Sequence, residues 1–158
     1  MNISTKFIKN KLILSSIPLG LMFALLSFVL PTETNTYSLT VKVKELRNST
    51  GVLQFSLYNK DGSIPDEKFK KYYKQMTSKI VKGNSSVTFK NIPKGKYAVN
   101  ILHDENKNKK IDKGWVMPIE GIGFSNFSSI GLTNRPNFKK ASFTVSSNMT
   151  KTVKVIYL

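Results

Sequence analysis

The stretch VTFKNIPKGKYAVNILHD, residues 87–104, decides the fold. Val87 and Phe89 stand two apart, Tyr97, Val99 and Ile101 repeat that period, and Pro93 and Gly95 sit between the two runs. Period-two apolar placement puts alternate side chains on one face, the pattern of a half-buried strand. Pro93 presets φ for a turn that Gly95 completes with the backbone freedom of glycine. Tyr97 then enters the second strand with an apolar ring and a hydroxyl that needs a partner, a tyrosine-corner-like device with no catalytic part.

The same period extends toward the N-terminus. Leu39, Val41 and Val43 alternate with Thr40, Lys42 and Lys44, the cluster Arg47-Asn48-Ser49-Thr50-Gly51 turns the chain, and Leu53, Phe55 and Leu57 resume the alternation. A hairpin over 39–58 is the expectation. Asn59-Lys60-Asp61-Gly62 ends that strand. In PDEKFKKYYKQMTSKI (65–80) the apolar spacing changes to three and four through Phe69, Tyr72 or Tyr73, Met76 and Ile80, which predicts one short helix starting near Pro65 and Asp66. Helical spacing gathers the aromatics on the core side, against the competing reading of KFKKYYK as a lysine and aromatic strip for single-stranded nucleic acid or a membrane surface.

Gly83-Asn84 predicts a second hairpin into Ser86–Phe89. Downstream, a long loop runs from 103 to about 139, and strands are expected over 141–145 and 151–158, with Ser146-Ser147-Asn148 between them. The total is an all-β domain over 37–158, a Greek-key sandwich of about seven strands in two sheets.

VTFKNIPKGKYAVNILHDENKNKKID, continuing through PIEGIGFSN and RPNFKKASFTV, resembles the bacterial family called domain of unknown function 2141. The likeness spans roughly residues 37–158. Its first part is also similar to the wider group of transthyretin-like and carboxypeptidase-regulatory-like sandwiches. The resemblance implies an exported immunoglobulin-like or transthyretin-like β-sandwich and supplies no reaction. The family pattern has a glycine near Lys109, and this chain does not.

HDENKNKKIDKG (103–114) follows the expected central strand with the rhythm of a calcium loop. Calcium takes six to eight oxygens from a compact loop whose alternate side chains turn inward. Asp104, Asn106 and Asn108 occupy the first, third and fifth positions, Lys110 offers its carbonyl at the seventh, and Asp112 stands at the ninth. The sixth position holds Lys109 instead of glycine and the twelfth holds Trp115 instead of a bidentate acid, leaving Glu120 to close the site from downstream. Lys107, Lys109, Lys110 and Lys113 oppose a cation. The same Asp and Asn residues also make Asx hydrogen bonds, so a calcium loop and a polar turn both stand.

The single histidine, His103, has no second ligand or base partner and is expected to be structural. GIGFSNFSSIG (121–131) has neither a strand-to-helix phosphate motif nor G-x-S-x-G. Gly121, Gly123, Phe124 and Asn126 read as a rigid loop beside the 103–114 turn. Alternatively Trp115, Phe124, Phe127 and Phe138, with Asn126, line an aromatic ligand surface suited to carbohydrate. No nucleophile, base or complete metal set emerges, so the chain is read as non-enzymatic, with a hydrolase as the weaker alternative.

Composition sets the compartment. Lys6, Lys9 and Lys11 precede an apolar run from Leu12 to Leu30. Nineteen residues span roughly 28 Å as a helix, long for a signal peptide and just adequate for a membrane span. Residues 1–31 are therefore a cleaved signal or a retained N-terminal hydrophobic anchor, 32–36 are a linker, and the remainder crosses to the extracytoplasmic side: periplasm, cell surface or medium. With no cysteine, neither a disulfide framework nor a thiolate site exists. Beyond residue 31 the chain carries 22 basic and 9 acidic residues, a net +13. That balance favours anionic envelope lipid, polymer or acidic polysaccharide as partners, with nucleic acid not expected outside the cytoplasm. Because 23 of the 25 basic residues are lysine, a solvated surface is the competing account.

Overall fold

The computed structural model describes residues 35–115 and 118–158. The segment 12–30, read as signal or membrane anchor, lies outside the described residues, among which no helix is long and apolar enough to cross a membrane. The described chain forms β1 (Thr36–Val43), β2 (Val52–Tyr58), β3 (Lys74–Ser78), β4 (Ser85–Pro93), β5 (Gly95–Asp104), β6 (Gly121–Phe124), α1 (Phe138–Ala141), β7 (Phe143–Val145) and β8 (Met149–Thr152). The fold is all-β with two sheets. One runs β4-β1-β8; the other runs β3-β2-β5-β6, with β7 pairing the start of β5.

Between the sheets lies the first core. Leu39, Val41 and Val43 of β1 and Val87 and Phe89 of β4 meet Leu53, Phe55 and Leu57 of β2 and Tyr97, Val99 and Ile101 of β5. Burying each of these large side chains contributes roughly 1.5–3 kcal/mol, and this layer carries most of that term. In β4 the alternation breaks after Phe89: Asn91 takes φ 56, and the next inward residue is Ile92. Tyr97 Oη donates to the Pro93 carbonyl at 2.9 Å, the backbone tie four residues upstream that a tyrosine corner requires.

A second core lies on the opposite face of the β2-β5-β6 sheet. Ala98, Leu102, Ile122 and Phe124 support Ile64, Phe69, Phe127 and Phe138, which arrive from the 59–73 and 125–138 connections and α1. β5 is therefore buried on both faces through most of its length.

Several expectations are corrected. β1 and β2 form no hairpin, because their inward faces belong to opposite sheets and residues 44–51 carry the chain across the sandwich. The 65–80 segment contains no helix. Phe69 takes φ 48, the Lys71 N–H is captured by the Asp66 carboxylate at 2.7 Å, and 74–78 becomes β3, which completes the ladder of β2. As an edge strand β3 leaves Met76 exposed, and Tyr72 and Tyr73 also remain exposed, so of the aromatics assigned to the core only Phe69 is buried. The Val81–Asn84 turn forms as a single bridge, but β3 and β4 enter different sheets instead of a second hairpin. The expected 151–158 strand is β8 at 149–152 followed by one Ile156 to Ile122 bridge.

Inside the expected long loop, GIGF forms β6. Its glycines serve packing: a Cβ on Gly123 would stand 2.4 Å from the Lys154 carbonyl, so a side chain there would push the C-terminal segment off the sheet.

Candidate functional site

β5 delivers Asp104 to the end of the sheet, where its side chain is almost fully buried. Both carboxylate oxygens accept backbone donors from the loop that follows: Oδ1 from Asn108 N at 3.0 Å and Oδ2 from Lys109 N at 2.9 Å. Two Asx turns are stacked on this base. Asn106 Oδ1 accepts from Asn108 N at 3.0 Å, and Asn108 Oδ1 accepts from Lys110 N at 2.8 Å. The free amide groups then converge on Asp112, with Asn106 Nδ2 on Oδ2 and Asn108 Nδ2 within 3.0 Å of both oxygens. Lys107 and Lys109 take φ 64 and 63, so the backbone makes left-handed turns at two lysines. Lys110 contributes its N–H to the turn.

Glu120, buried at the base of the loop, ties its two ends. Its Oε1 accepts Glu105 N at 3.0 Å and its Oε2 accepts Asp112 N at 3.3 Å. Burial pushes its carboxyl pKa up, the two backbone donors oppose that shift, and the negative charges of Asp112 and Asp104 add to it. Among the described residues the ion pairs are Arg47–Glu105 and Lys113–Glu67, and His103 Nδ1 stands 3.8 Å from Glu105 Oε1. Asp104, Asp112 and Glu120 thus make no ion pair among the described residues, while the Arg47 guanidinium, bonded to the Ile119 carbonyl at 3.4 Å, stands near enough to feel the Glu120 charge. Among the described residues no three Asp, Glu or His side chains are arranged to hold a metal by themselves. An ion here depends on amide oxygens, which requires Asn106 and Asn108 to turn Oδ1 in place of Nδ2 toward Asp112.

Beside this turn stands a network that sequence reasoning missed. Arg47 Nε donates to Glu105 Oε1 at 2.9 Å, its Nη2 donates to Glu105 Oε2, and Asn48 Nδ2 adds a third bond at 2.8 Å. These donors, the Arg47 guanidinium first, hold the Glu105 carboxyl at about 2 against the smaller opposing effect of burial. The guanidinium stacks on Tyr157, 4.5 Å from the ring centroid. One signal was legible: an arginine in a chain that otherwise uses lysine marks a planar, bidentate contact.

His103 is wholly buried in the same network. Nε2 must donate to the Thr50 carbonyl at 2.9 Å, which leaves Nδ1 to accept the Tyr157 hydroxyl at 2.7 Å. Both ring nitrogens are engaged, in the structural role expected of this residue. Gly51, at φ 77, lies so close that a Cβ would stand 2.1 Å from the Asp104 carbonyl. The 47–51 turn is thereby seated against the end of β5.

The proposed aromatic ligand surface is not assembled. Phe124, Phe127 and Phe138 are buried in the second core, while Trp115 is fully exposed. Phe124 and Phe127 pack edge to face at 6.2 Å, turned toward each other and away from solvent. Asn126 takes φ 66, and its amide spans the carbonyls of Lys140, Ala141 and Ser142, pinning α1 to the sheet. Among the described residues of this loop, the large apolar side chains exposed are Trp115, Ile119 and Leu132, the last two without a periodic signal in the sequence.

The family model described as "Uncharacterized protein conserved in bacteria (DUF2141)" matches residues 41–154. No curated protein and no solved structure matches the chain.

Proposed function

The chain belongs to the DUF2141 family of bacterial proteins, and from that premise we propose that it is an exported, non-enzymatic binding module whose 103–138 loop meets an envelope ligand, with calcium tightening the 104–112 turn. The carrying observation is that Asp104 and Asp112 close around Asn106 and Asn108, with Glu120 bonded to the Asp112 N–H, and that these three acids make no ion pair among the described residues. Carboxylates in that arrangement repel one another, and a divalent cation relieves the repulsion. Export is supported by the lysines and apolar run of residues 6–30. A Greek-key sandwich of the immunoglobulin-like or transthyretin-like kind is supported by the two-sheet topology and the Tyr97 to Pro93 tie. The engagement of both nitrogens of the only histidine supports a non-enzymatic role. Among the described residues of the loop, Trp115, Ile119 and Leu132 are exposed apolar side chains available to a ligand.

Thermal melting of the purified protein in millimolar calcium against chelator tests the ion. Extracellular calcium modules bind with Kd of about 10⁻⁴–10⁻³ M, and occupancy at several times Kd stabilises by roughly 1 kcal/mol, a rise of about 3–6 °C in Tm. Asp112→Ala is expected to abolish that rise. An unchanged Tm in calcium removes the ion and leaves the turn held by Asx bonds alone.

A second reading, a membrane-anchored structural protein resting on anionic lipid or polymer, is favoured by one feature. Lys42, Lys44 and Lys79 line an open groove of about 420 Å³ with Ser78, Ser85 and Ser86. Salt-sensitive pelleting with anionic but not zwitterionic vesicles, retained without calcium, separates it from the first.

A further inference from the structure

The outer face of the β3-β2-β5-β6 sheet buries polar side chains beneath its loops. Gln54, Ser56 and Tyr58 of β2 and Asn100 of β5 are all nearly or wholly excluded from solvent, with Ser56 directly opposite Asn100 in register. Gln54 Nε2 and Asn100 Oδ1 have no hydrogen-bond partner among the described residues. A buried polar group left unpaired forfeits its solvation without recompense, so the native protein is expected to supply an occupant.

Asn100 is oriented as well as unpartnered. The Tyr58 hydroxyl donates to Asp66 Oδ2 at 3.2 Å, and burial, reinforced by the Asp66 charge, raises its pKa and keeps it a donor. Its oxygen is then free to accept, with Asn100 close beside it. The end of the Asn100 amide left without a partner among the described residues is its carbonyl.

Asn100 lines a cavity of about 120 Å³ between the 65–67 segment and the 111–136 loop, with Asp66 beside it and Ile111, Ile122, Phe124 and Ile130 as apolar wall. Asp66 is 5% exposed and makes no ion pair among the described residues. The lysine at this cavity, Lys113, is bonded to Glu67 at 2.6 Å. The polar wall therefore offers an amide acceptor and a carboxylate, with no free cation among the described residues. Its occupant must bring donors, and positive charge favours it further. A cavity of roughly 150 Å³ admits benzene, so this one holds a smaller body of about five heavy atoms.

We propose that this cavity is a binding site for a short aliphatic primary ammonium, donating N–H bonds to Asn100 Oδ1 and the Asp66 carboxylate while its alkyl chain packs on Ile122, Phe124 and Ile130. The proposal rests on the binding-module reading and identifies the chemistry that the base of the 103–138 loop accepts.

Titration of the ¹⁵N-labelled protein with n-butylammonium chloride tests it, with n-butanol and tetramethylammonium chloride as comparison arms. The expected result is saturable shifts of the Asn100 side-chain amide and the Ile122 and Phe124 backbone amides, with butanol at least tenfold weaker and tetramethylammonium without effect. Asn100→Leu, which removes the acceptor at similar volume, is expected to weaken binding at least tenfold. Should that variant fail to fold, Ile130→Trp at the half-buried wall is expected to block the site, and shifts that persist in it overturn the proposal. So do unsaturable shifts, equal shifts with tetramethylammonium, or a crystal structure in saturating butylammonium with only an ordered water on Asn100 Oδ1. A calcium-induced rise in Tm without butylammonium binding removes the cavity proposal alone; butylammonium binding without that rise removes only the ion.

Discussion

The two faces of β5 are built from one strand and held by different physics. Inward, Tyr97, Val99 and Ile101 meet Leu39, Val41 and Phe89 from the other sheet, regular strand against regular strand. Outward, Ala98, Asn100 and Leu102 are covered by connections whose shape depends on side-chain bonds to backbone, such as Asp66 to Lys71 and Asp104 to Asn108 and Lys109. The inner layer follows from alternation alone, whereas the outer layer exists only while its polar turns hold. The sharpest way to break the contrast is truncation. Phe55→Ala, at a fully buried inner position, is expected to cost about 4 kcal/mol, and Phe127→Ala in the outer layer about 2–3 kcal/mol because loops collapse into a cavity more readily than sheets. Urea unfolding checks both. Equal costs would make the two layers one cooperative unit.

The same contrast governs what the sequence disclosed. Val41, Phe89, Val99 and their neighbours were legible because a strand packed on one side repeats its apolar residues every second position. Sheet assignment was not, since alternation says which way a side chain points and nothing about which strand pairs with which. The 65–80 segment misled because Phe69 and Ile80 fit helical spacing, while the decisive interactions, the Asp66 carboxylate on Lys71 N and the open edge of β2, are a local cap and a distant ladder. In the candidate site, Asp104, Asn106, Asn108 and Asp112 were found from spacing and do come together. Phe124, Phe127 and Phe138 were assigned to a surface because nothing in their spacing reveals a second core outside the sheet. The Asn100 cavity left no sequence signal, since a polar residue in a strand ordinarily reads as solvent-facing.

An intermediate effect separates two acids at the edge of the outer layer. Glu105 has its pKa held at about 2 by Arg47, below its unfolded value near 4.5. Its contribution is therefore complete above about pH 4.5 and is lost as pH falls toward about 2. Glu120 is displaced the other way by burial: it favours the fold when protonated, and that contribution is lost as pH rises through its elevated pKa. Arg47 is partly exposed, and screening reduces the Glu105 contribution to about 1 kcal/mol. Glu105→Gln is expected to flatten the stability profile between about pH 4.5 and 2 while leaving in place the Glu120 slope, which lies above about pH 4.5, measured as urea midpoints on both sides of that pH. An unchanged acid limb would show that the Arg47–Glu105 contact orders the surface without stabilising it.

The smallest expected effect bears on the turn itself. Lys109 holds φ 63, a conformation that costs an L-residue roughly 1 kcal/mol and costs glycine none. Its backbone N–H is also one of the two donors on the Asp104 carboxylate, so the residue cannot leave that conformation without unpairing a buried charge. Lys109→Gly keeps the donor and removes both the strain and one of the lysines that oppose a cation. The greater freedom of glycine in the unfolded chain offsets part of the gain, leaving about 0.5 kcal/mol of net stabilisation, or 1–3 °C in Tm. Should Lys109→Gly also lower the calcium concentration needed for the Tm rise, the positive charge at 109 had been weakening an ion site. A gain in Tm with no change in calcium dependence would assign position 109 to backbone geometry alone, in which case the polar turn serves the outer layer as a mechanical clamp.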